Sequence, residues 1–416
     1  MNKSVSVWNN RPSGSEPGEN GLLALERCRV CQGGNGRLHS VTSALPIYIW
    51  PLPPGKSNRF LDAGLFVCED CSHVQLQTMT DAFIDSFYED EYLVLEDHVL
   101  DRSRIEALVS AFGREIIEDA RLLDIGGGNN PVAGSLSSLG YRCESWVVDI
   151  NPRPRAKELA SKVVAGRFED ADLPQGHFDL ATSFDSMEHF NHPSDVVARM
   201  AEVLRPGGLA VVAVPNLTGL ISSIPHYMVL HQHVSIFSVG SLESLFSLQG
   251  FRRKALLRED TAIYLVYENV HGPKDLSPAS VDPWAELDRF RSRMEVIGEE
   301  IKALGLAADE HRLGLYAAGG SSSLFLANFP WLRECLSAVF DREEHKQGRI
   351  VPGTDLVVLP PEKIASSGVE KLLFLSDSIH DDVAPGLSVD CVNLARFFKA
   401  PIEMENGKHR DAWNSG

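Results

Sequence analysis

Three groups of residues in this sequence have the types and spacing for chemistry. The first is Leu122-Leu123-Asp124-Ile125-Gly126-Gly127-Gly128-Asn129-Asn130, an apolar run that breaks into glycines and then enters a helical pattern. A strand, a glycine turn and a helix start let backbone N–H groups approach a ligand, because glycine lacks a Cβ and tolerates positive φ. Trp146-Val147-Val148-Asp149-Ile150 follows as a second apolar strand ending in a carboxylate. That spacing lets an acidic side chain hydrogen-bond the ribose hydroxyls of an adenosine ligand. The pair suits more than one adenosine cofactor, and an ordinary tight turn is the plain alternative.

The second group is Cys28-Arg29-Val30-Cys31 with Cys68-Glu69-Asp70-Cys71. Two C-x-x-C knuckles supply four thiolates, which satisfy the tetrahedral preference of zinc, so Cys28, Cys31, Cys68 and Cys71 are the expected ligands. Cys143, Cys335 and Cys391 stand alone and read as small apolar residues. The third group is His231-Gln232-His233. A histidine accepts a proton near neutral pH, which makes His233 and His231 candidate general bases. A purely structural pair of histidines is the alternative.

These groups need elements to position them. The chain has 416 residues, 44% of them hydrophobic and 23% charged; that length suggests two or three domains. Alternating apolar strands and helical patterns predict an α/β protein. The longest apolar runs, such as Leu209 to Val214, are too short to span a bilayer. The N-terminal stretch has no apolar signal core, so a cytoplasmic location is expected. With 39 Lys and Arg against 57 Asp and Glu, the formal charge is −18, which disfavours a nucleic-acid partner. No membrane partner is expected, and the oligomeric state is left open.

Phe178-Asp179-Leu180-Ala181-Thr182-Ser183-Phe184-Asp185-Ser186-Met187-Glu188-His189 and Val203-Leu204-Arg205-Pro206-Gly207-Gly208 complete the first group. In that order the segments resemble class I S-adenosylmethionine-dependent methyltransferases, with their "DIGGG", "EH" and "LRPGG" signatures. The resemblance implies a Rossmann-like core. It also implies cofactor contacts at Asp124, Gly126, Gly127, Gly128, Asp149, Ile150, Phe168, Glu169, Phe184 and Asp185. It places Glu188 and His189 beside the methionine end of the cofactor or the substrate mouth; a capping or solvated role is the other reading.

Val67-Cys68-Glu69-Asp70-Cys71-Ser72-His73-Val74-Gln75-Leu76 resembles the zinc-lobe ending of the sugar C-methyltransferases, which methylate a ring carbon of nucleotide-linked ketosugars. That family places a tyrosine-bearing segment in the substrate site, here Tyr88 and Tyr92; two half-buried helix tyrosines are the bland reading. It also carries "YHEHFSYFS" where this chain has Leu230-His231-Gln232-His233-Val234-Ser235-Ile236-Phe237-Ser238. Tyrosine is replaced by Leu230 and glutamate by Gln232, so His233 keeps neither usual partner; Tyr227 or His226 could compensate. Leu313 to Ser323 and His345-Lys346-Gln347-Gly348-Arg349-Ile350-Val351-Pro352-Gly353-Thr354 resemble the family's C-terminal α/β domain, implying substrate contacts at Gly319 and Ser321. The family's usual lysine is missing from this glycine turn.

The expected division is a disordered leader (1–25), a zinc-binding lobe (26–98), a methyltransferase domain (99–270), a linker (271–283), a Rossmann-like nucleotide-binding α/β domain (284–398) and a flexible tail (399–416). Residues 99–120 read as an amphipathic helix and Leu217 to Val229 as a loop-prone insert. The expected activity is C-methylation next to a ketone of a nucleotide-linked deoxysugar, using S-adenosyl-L-methionine and Zn2+, with His189 near the substrate. An O- or N-methyltransferase and a non-catalytic zinc-containing binding module are the rivals.

Overall fold

The computed structural model describes residues 27–56, 58, 60–76, 109, 117–128, 132–272, 276, 281–306 and 312–399. Tyr88, Tyr92, the leader, the tail and most of the expected 99–120 helix lie outside the described residues. Among those described, no helix is long and apolar enough to cross a membrane.

The N-terminal unit is a small antiparallel sheet. Strands β1 (Gly36–Pro46), β2 (Phe60–Cys68) and β3 (Val74–Leu76) pair in order, with the cysteine knuckles at the ends. The sheet's fourth strand comes from far along the chain, as described below.

The central sheet begins with β4 (Ala120–Ile125), helix α1 (Val132–Ser138), β5 (Cys143–Asp149), α2 (Pro154–Leu159) and β6 (Lys162–Ala165). It continues through β7 (Phe178–Phe184), α3 (Pro193–Val203) and β8 (Leu204–Pro215). The chain then forms α4 (Leu217–Ser223), the two-residue strand β9 (Ser235–Ile236), α5 (Val239–Ser247), β10 (Phe251–Arg258) and β11 (Ala262–Asn269). The seven strands lie in the order β10-β11-β8-β7-β4-β5-β6. β4 to β8 run parallel, while β11 lies antiparallel to β8 and β10. Strand alternation divides the apolar residues between two faces: Leu123, Ile125, Ala181 and Val212 on one, Leu122, Leu180, Val211 and Tyr264 on the other. The order reverses at β4, whose neighbours are β5 and β7, and ligands of open α/β sheets bind at such a switch.

Local chemistry explains the helices that frame this edge. Proline opens α3, where its missing N–H costs nothing, and Val196, Val197, Met200 and Val203 bury one stripe. A reciprocal Ser238–Ser241 capping box opens α5. The expected loop-prone insert after Leu217 is instead α4 and a buried turn. Leu217, Leu220 and Ile221 recur at helical spacing and enter a core, which supplies the burial that a marginal helix needs. Gly219 permits this packing, because a Cβ there would lie 2.0 Å from the Asp260 carbonyl oxygen.

The C-terminal unit opens with α6 (Pro283–Ala303), capped by the Asp282 carboxylate. It then forms β12 (Leu313–Tyr316), α7 (Gly320–Asn328), β13 (Leu336–Phe340), β14 (Val358–Leu359), β15 (Lys371–Phe374) and β16 (Asp390–Asn393). All its strand pairs are parallel, in the order β14-β13-β12-β15-β16. This is a second doubly wound sheet. One core joins all three units: Leu45 and Ile47 of the small sheet, Leu220 and Leu230 of the central unit, and Leu287 and Leu324 of the last. A backbone pair between Leu52 and Ile350 adds two hydrogen bonds, of 2.8 and 2.7 Å.

Candidate active site

The glycine turn follows β4. Gly126 has φ +74°, and a Cβ there would lie 2.4 Å from Ser186 Oγ, so only glycine fits. Ser186 closes the turn onto β7, its hydroxyl donating to the Gly126 and Phe184 carbonyls. Asp149 accepts the Gly128 N–H at 2.9 Å and the Asn151 N–H at 2.8 Å, one on each carboxylate oxygen. Each oxygen keeps a lone-pair direction for a ribose hydroxyl. Burial raises the Asp149 carboxyl above its ordinary range. Next to it Ile150 is 36% exposed, an apolar face at the strand end that an adenine ring could cover. These residues fit an S-adenosylmethionine half-site.

The other expected cofactor residues lie in more enclosed surroundings. Asp124 is sealed in: its oxygens accept the Val132 N–H and the Thr182 hydroxyl, each at 2.7 Å, and burial pushes its carboxyl up to about 6. It anchors the start of α1 and has little surface for ligand. Phe168 is 2% exposed and packs in the core with Leu173 and Val148. Phe184 is 9% exposed and packs on the opposite face with Leu180 and Tyr264. Asp185, which follows it, bends the chain at φ +48°. Glu169 stays half-buried, its carboxyl raised by burial.

Beyond Ser186 a short turn, Met187–His189, faces the loop that carries the histidine pair. Glu188 Oε1 lies 3.8 Å from His189 Nε2 and 4.0 Å from His233 Nε2. The two imidazole rings stand edge to face, with centroids 4.9 Å apart. Their side chains are 21% and 14% exposed, against 2% for Glu188. The Gln232 backbone carbonyl takes a hydrogen bond from His189 Nδ1 at 2.9 Å. Burial, then the charges of His189 and His231, hold His233 well below the ordinary imidazole range. A neutral ring with some open surface is what a general base requires.

His231 does not share this position. It has no exposed surface, its ring is engaged with the Pro46 carbonyl of β1, and burial lowers it to about 3. It is a packing residue turned toward the small sheet. Leu230 is likewise a core residue, which removes the phenol expected there. Neither proposed substitute reaches His233. His226 Nε2 is bonded to Ser321 Oγ at 2.8 Å, and the Tyr227 hydroxyl faces Gly320. Ser321 is therefore engaged by the protein itself, and Trp50 covers Gly319, 3.3 Å from where a Cβ would sit. The cation missing from this second glycine turn is supplied by Lys346: its Nζ lies 3.1 Å from Asp341 Oδ2, which also accepts the Ala318 N–H at 2.8 Å. Sequence reasoning missed Glu188 as the acidic neighbour of His233 and Lys346 as this cation.

The loop is fixed by the cysteine unit. Strand β9 pairs with β3, completing the small sheet in the order β1-β2-β3-β9. Arg29, between two cysteines, donates to the Leu76 and Val234 carbonyls and to Asn191 Oδ1. It is almost wholly buried, and burial lowers its guanidinium to about 10. Cys28 Sγ lies 3.6 Å from Cys71 Sγ, and Cys31 Sγ 3.5 Å from Cys68 Sγ. Zinc–sulfur bonds of about 2.3 Å at tetrahedral angles place sulfurs about 3.8 Å apart, so the set fits a zinc ion. The neighbouring thiols push Cys28 and Cys71 up and Cys68 down.

Residues 98–255 match the family described as "Methyltransferase domain", and residues 277–389 match the "C-methyltransferase C-terminal domain". With the sheet order and glycine turn, these matches define the class of the two larger units: a class I methyltransferase domain followed by a C-methyltransferase C-terminal domain. Among individual proteins, the chain is similar to C-methyltransferase NovU of Streptomyces niveus, 26% identical over 204 residues, covering 45% of this chain and 49% of that protein. It is also similar to Ubiquinone biosynthesis O-methyltransferase, mitochondrial, of Schizosaccharomyces pombe, 26% identical over 159 residues, covering 35% and 56%. The chain thus spans about half the length of these curated relatives. One similar solved structure is the 1,6-didemethyltoxoflavin-N1-methyltransferase of Burkholderia thailandensis, at 15% identity and TM-score 0.37, covering 51% of this chain and 99% of that one.

Proposed function

We propose that this protein methylates a carbon next to a ketone, on a nucleotide-linked deoxysugar, with His233 as the general base. The observation that carries the reading is the Glu188–His189–His233 cluster, two residues beyond the Ser186 that closes the glycine turn. Bound S-adenosylmethionine supplies an electrophilic methyl group on sulfonium. A carbon nucleophile, unlike most oxygen or nitrogen ones, must first lose a proton from a weakly acidic C–H bond. His233 is held below the ordinary imidazole range, so the ring is neutral at cellular pH and has a lone pair to offer that proton. Base catalysis of this kind contributes about 100- to 10,000-fold. Asp149 and the turn fix the adenosine end, and holding both reactants adds the entropic advantage of an intramolecular reaction.

Two further parts of the reading concern the flanking units. A zinc ion on Cys28, Cys31, Cys68 and Cys71 would hold the β9 loop, and so His233, in place. The C-terminal sheet, matching a C-methyltransferase domain, would contribute to holding the nucleotide of the substrate.

Methyl-labelled S-adenosylmethionine, incubated with the protein and a panel of nucleotide-linked ketosugars, tests the reading by carbon NMR of the product. Label on a ring carbon, with solvent deuterium exchanging at that carbon, supports it. Label on oxygen or nitrogen would replace it with heteroatom methylation. His233→Ala is expected to abolish turnover while leaving cofactor affinity nearly intact; loss of both would make His233 a folding residue.

A further inference from the structure

One side chain links the cysteine site to both segments that carry the histidine cluster. Arg29 lies between Cys28 and Cys31, where the Cys28 sulfur accepts the Val30 N–H at 3.4 Å and wraps the chain around the knuckle. The Arg29 backbone N–H is fixed to Gln75 Oε1 at 2.7 Å. From this anchored start the guanidinium reaches outward. Its Nη1 donates to the Leu76 carbonyl at 2.7 Å and to the Val234 carbonyl at 3.3 Å, while Nε and Nη2 both donate to Asn191 Oδ1, at 3.3 and 3.0 Å. The Val234 carbonyl also takes the Leu76 N–H at 3.0 Å, so the fork reinforces the point where the loop joins the small sheet. Val234 follows His233, and Asn191 stands two residues after His189. A single planar fork therefore grips both walls of the cluster: the loop that holds His233 and the turn that holds Glu188 and His189.

That fork is a buried charge. Among the described residues no carboxylate pairs with Arg29; its side-chain partners are neutral oxygens, and the ionisable group acting on it is Cys28. A buried charge needs an opposite one close by. Four thiolates on a divalent ion carry a net negative charge, so a loaded cysteine site supplies the counter-charge that a buried arginine requires here.

We infer that Arg29 is a positioning residue, which couples the cysteine site to the candidate base by holding the His233 loop against the turn of Glu188 and His189. It acts through Val234 and Asn191. This rests on the reading of His233 as the base given above. Glu188 Oε1 and His233 Nε2 stand on opposite walls, 4.0 Å apart, and their separation is the gap that the fork spans. A misplacement of about 1 Å can cost about 100-fold in rate when reacting groups must be held in register. The glycine turn and Asp149 are held by their own contacts with Ser186, Gly128 and Asn151, so a loosened fork leaves the cofactor half-site in place. The cysteine unit thus does more than staple a small lobe: it sets the geometry of a site built from residues 188–233.

The test uses Arg29→Met and Arg29→Lys in the full chain prepared with zinc. Four quantities are measured: zinc per chain by mass spectrometry, S-adenosylmethionine affinity by calorimetry, kcat and KM with the ketosugar that the wild type methylates, and ring signals from long-range proton–nitrogen NMR of nitrogen-15 histidine. Arg29→Met is expected to keep its zinc and its cofactor affinity while kcat falls about 10- to 100-fold with KM little changed. The His233 signals should shift, whereas those of His380, bonded to Asp381 in the C-terminal unit, should not. Arg29→Lys, which keeps the charge without the fork, should recover part of kcat. Wild-type kcat and unshifted His233 signals in Arg29→Met overturn the inference. Loss of zinc or of cofactor binding together with kcat also overturns it, since Arg29 would then be a folding residue. If Arg29→Met does not fold, Asn191→Ala frees one wall alone, and unshifted His189 and His233 signals there overturn the inference. Product labelled on oxygen or nitrogen, with the shifted His233 signals present, removes the C-methylation reading and leaves the coupling standing.

Discussion

The molecule contains the same small device twice, with different outcomes. After β4 and after β12 the chain passes through a glycine turn into a helix, and in both sheets an aspartate stands at the end of the next strand or directly after it. Asp149 accepts N–H groups from Gly128 and Asn151; Asp341 accepts them from Ala318 and Glu343, at matching distances of 2.8 to 2.9 Å. The first turn stays half-buried, beside exposed Ile150. The second is filled by the protein: Lys346 pairs with Asp341, Trp50 covers Gly319, and His226 takes Ser321. A strand–glycine–helix pattern therefore specifies a backbone shape, and the neighbouring side chains decide whether that shape receives a ligand or part of the same chain.

The comparison breaks most visibly at Lys346. Its side chain and that of Asp341 are 12% and 4% exposed, so Lys346→Ala strands a buried carboxylate and should cost about 3–5 kcal/mol in denaturant unfolding. The Lys346→Met, Asp341→Asn double variant should recover much of that loss. Next in size, Asp149→Ala should weaken S-adenosylmethionine binding about 10- to 100-fold by calorimetry, the worth of hydrogen bonds to a charged group. Asp341→Ala should leave that affinity unchanged, and a matching loss would make the two turns functionally alike. Ser321→Ala removes the partner of buried His226 and should destabilise by about 1–3 kcal/mol, without altering cofactor affinity. The smallest effect is on pH. Because burial raises the Asp149 carboxyl, it gains its proton earlier than an ordinary aspartate as pH falls. Ribose contacts that need the carboxylate should weaken as pH falls, beginning at a higher pH than for an ordinary aspartate, and Asp149→Asn should flatten that calorimetric profile.

Local pattern made much of the fold legible. The two glycine turns, the cysteine knuckles and the strands from Leu122 to Asp149 are written in contiguous residues. What escaped was set by contacts between distant segments. Asp124 looks like a ligand group until Thr182 and Val132 take both oxygens. Leu217 to Ile221 looks like a loop because helical propensity there is weak, and the helix depends on a core assembled from all three units. The departures at Leu230 and Gln232 suggested a histidine without an acid, yet the acid stands at Glu188, brought there by the turn after β7. Nothing in spacing alone joins positions 188 and 233.

Strand β9 also bears on how the protein is made. The cysteine unit's sheet lacks its last strand until residues 235–236 pair with Val74 and Gln75. A ribosome therefore finishes the central parallel strands before the first unit can close its own edge. On the zinc reading proposed above, metal loading and histidine placement would be one late event in maturation. The cysteines share a core with one face of the seven-stranded sheet, so starvation for the metal should loosen that face together with the histidine loop and yield inert protein.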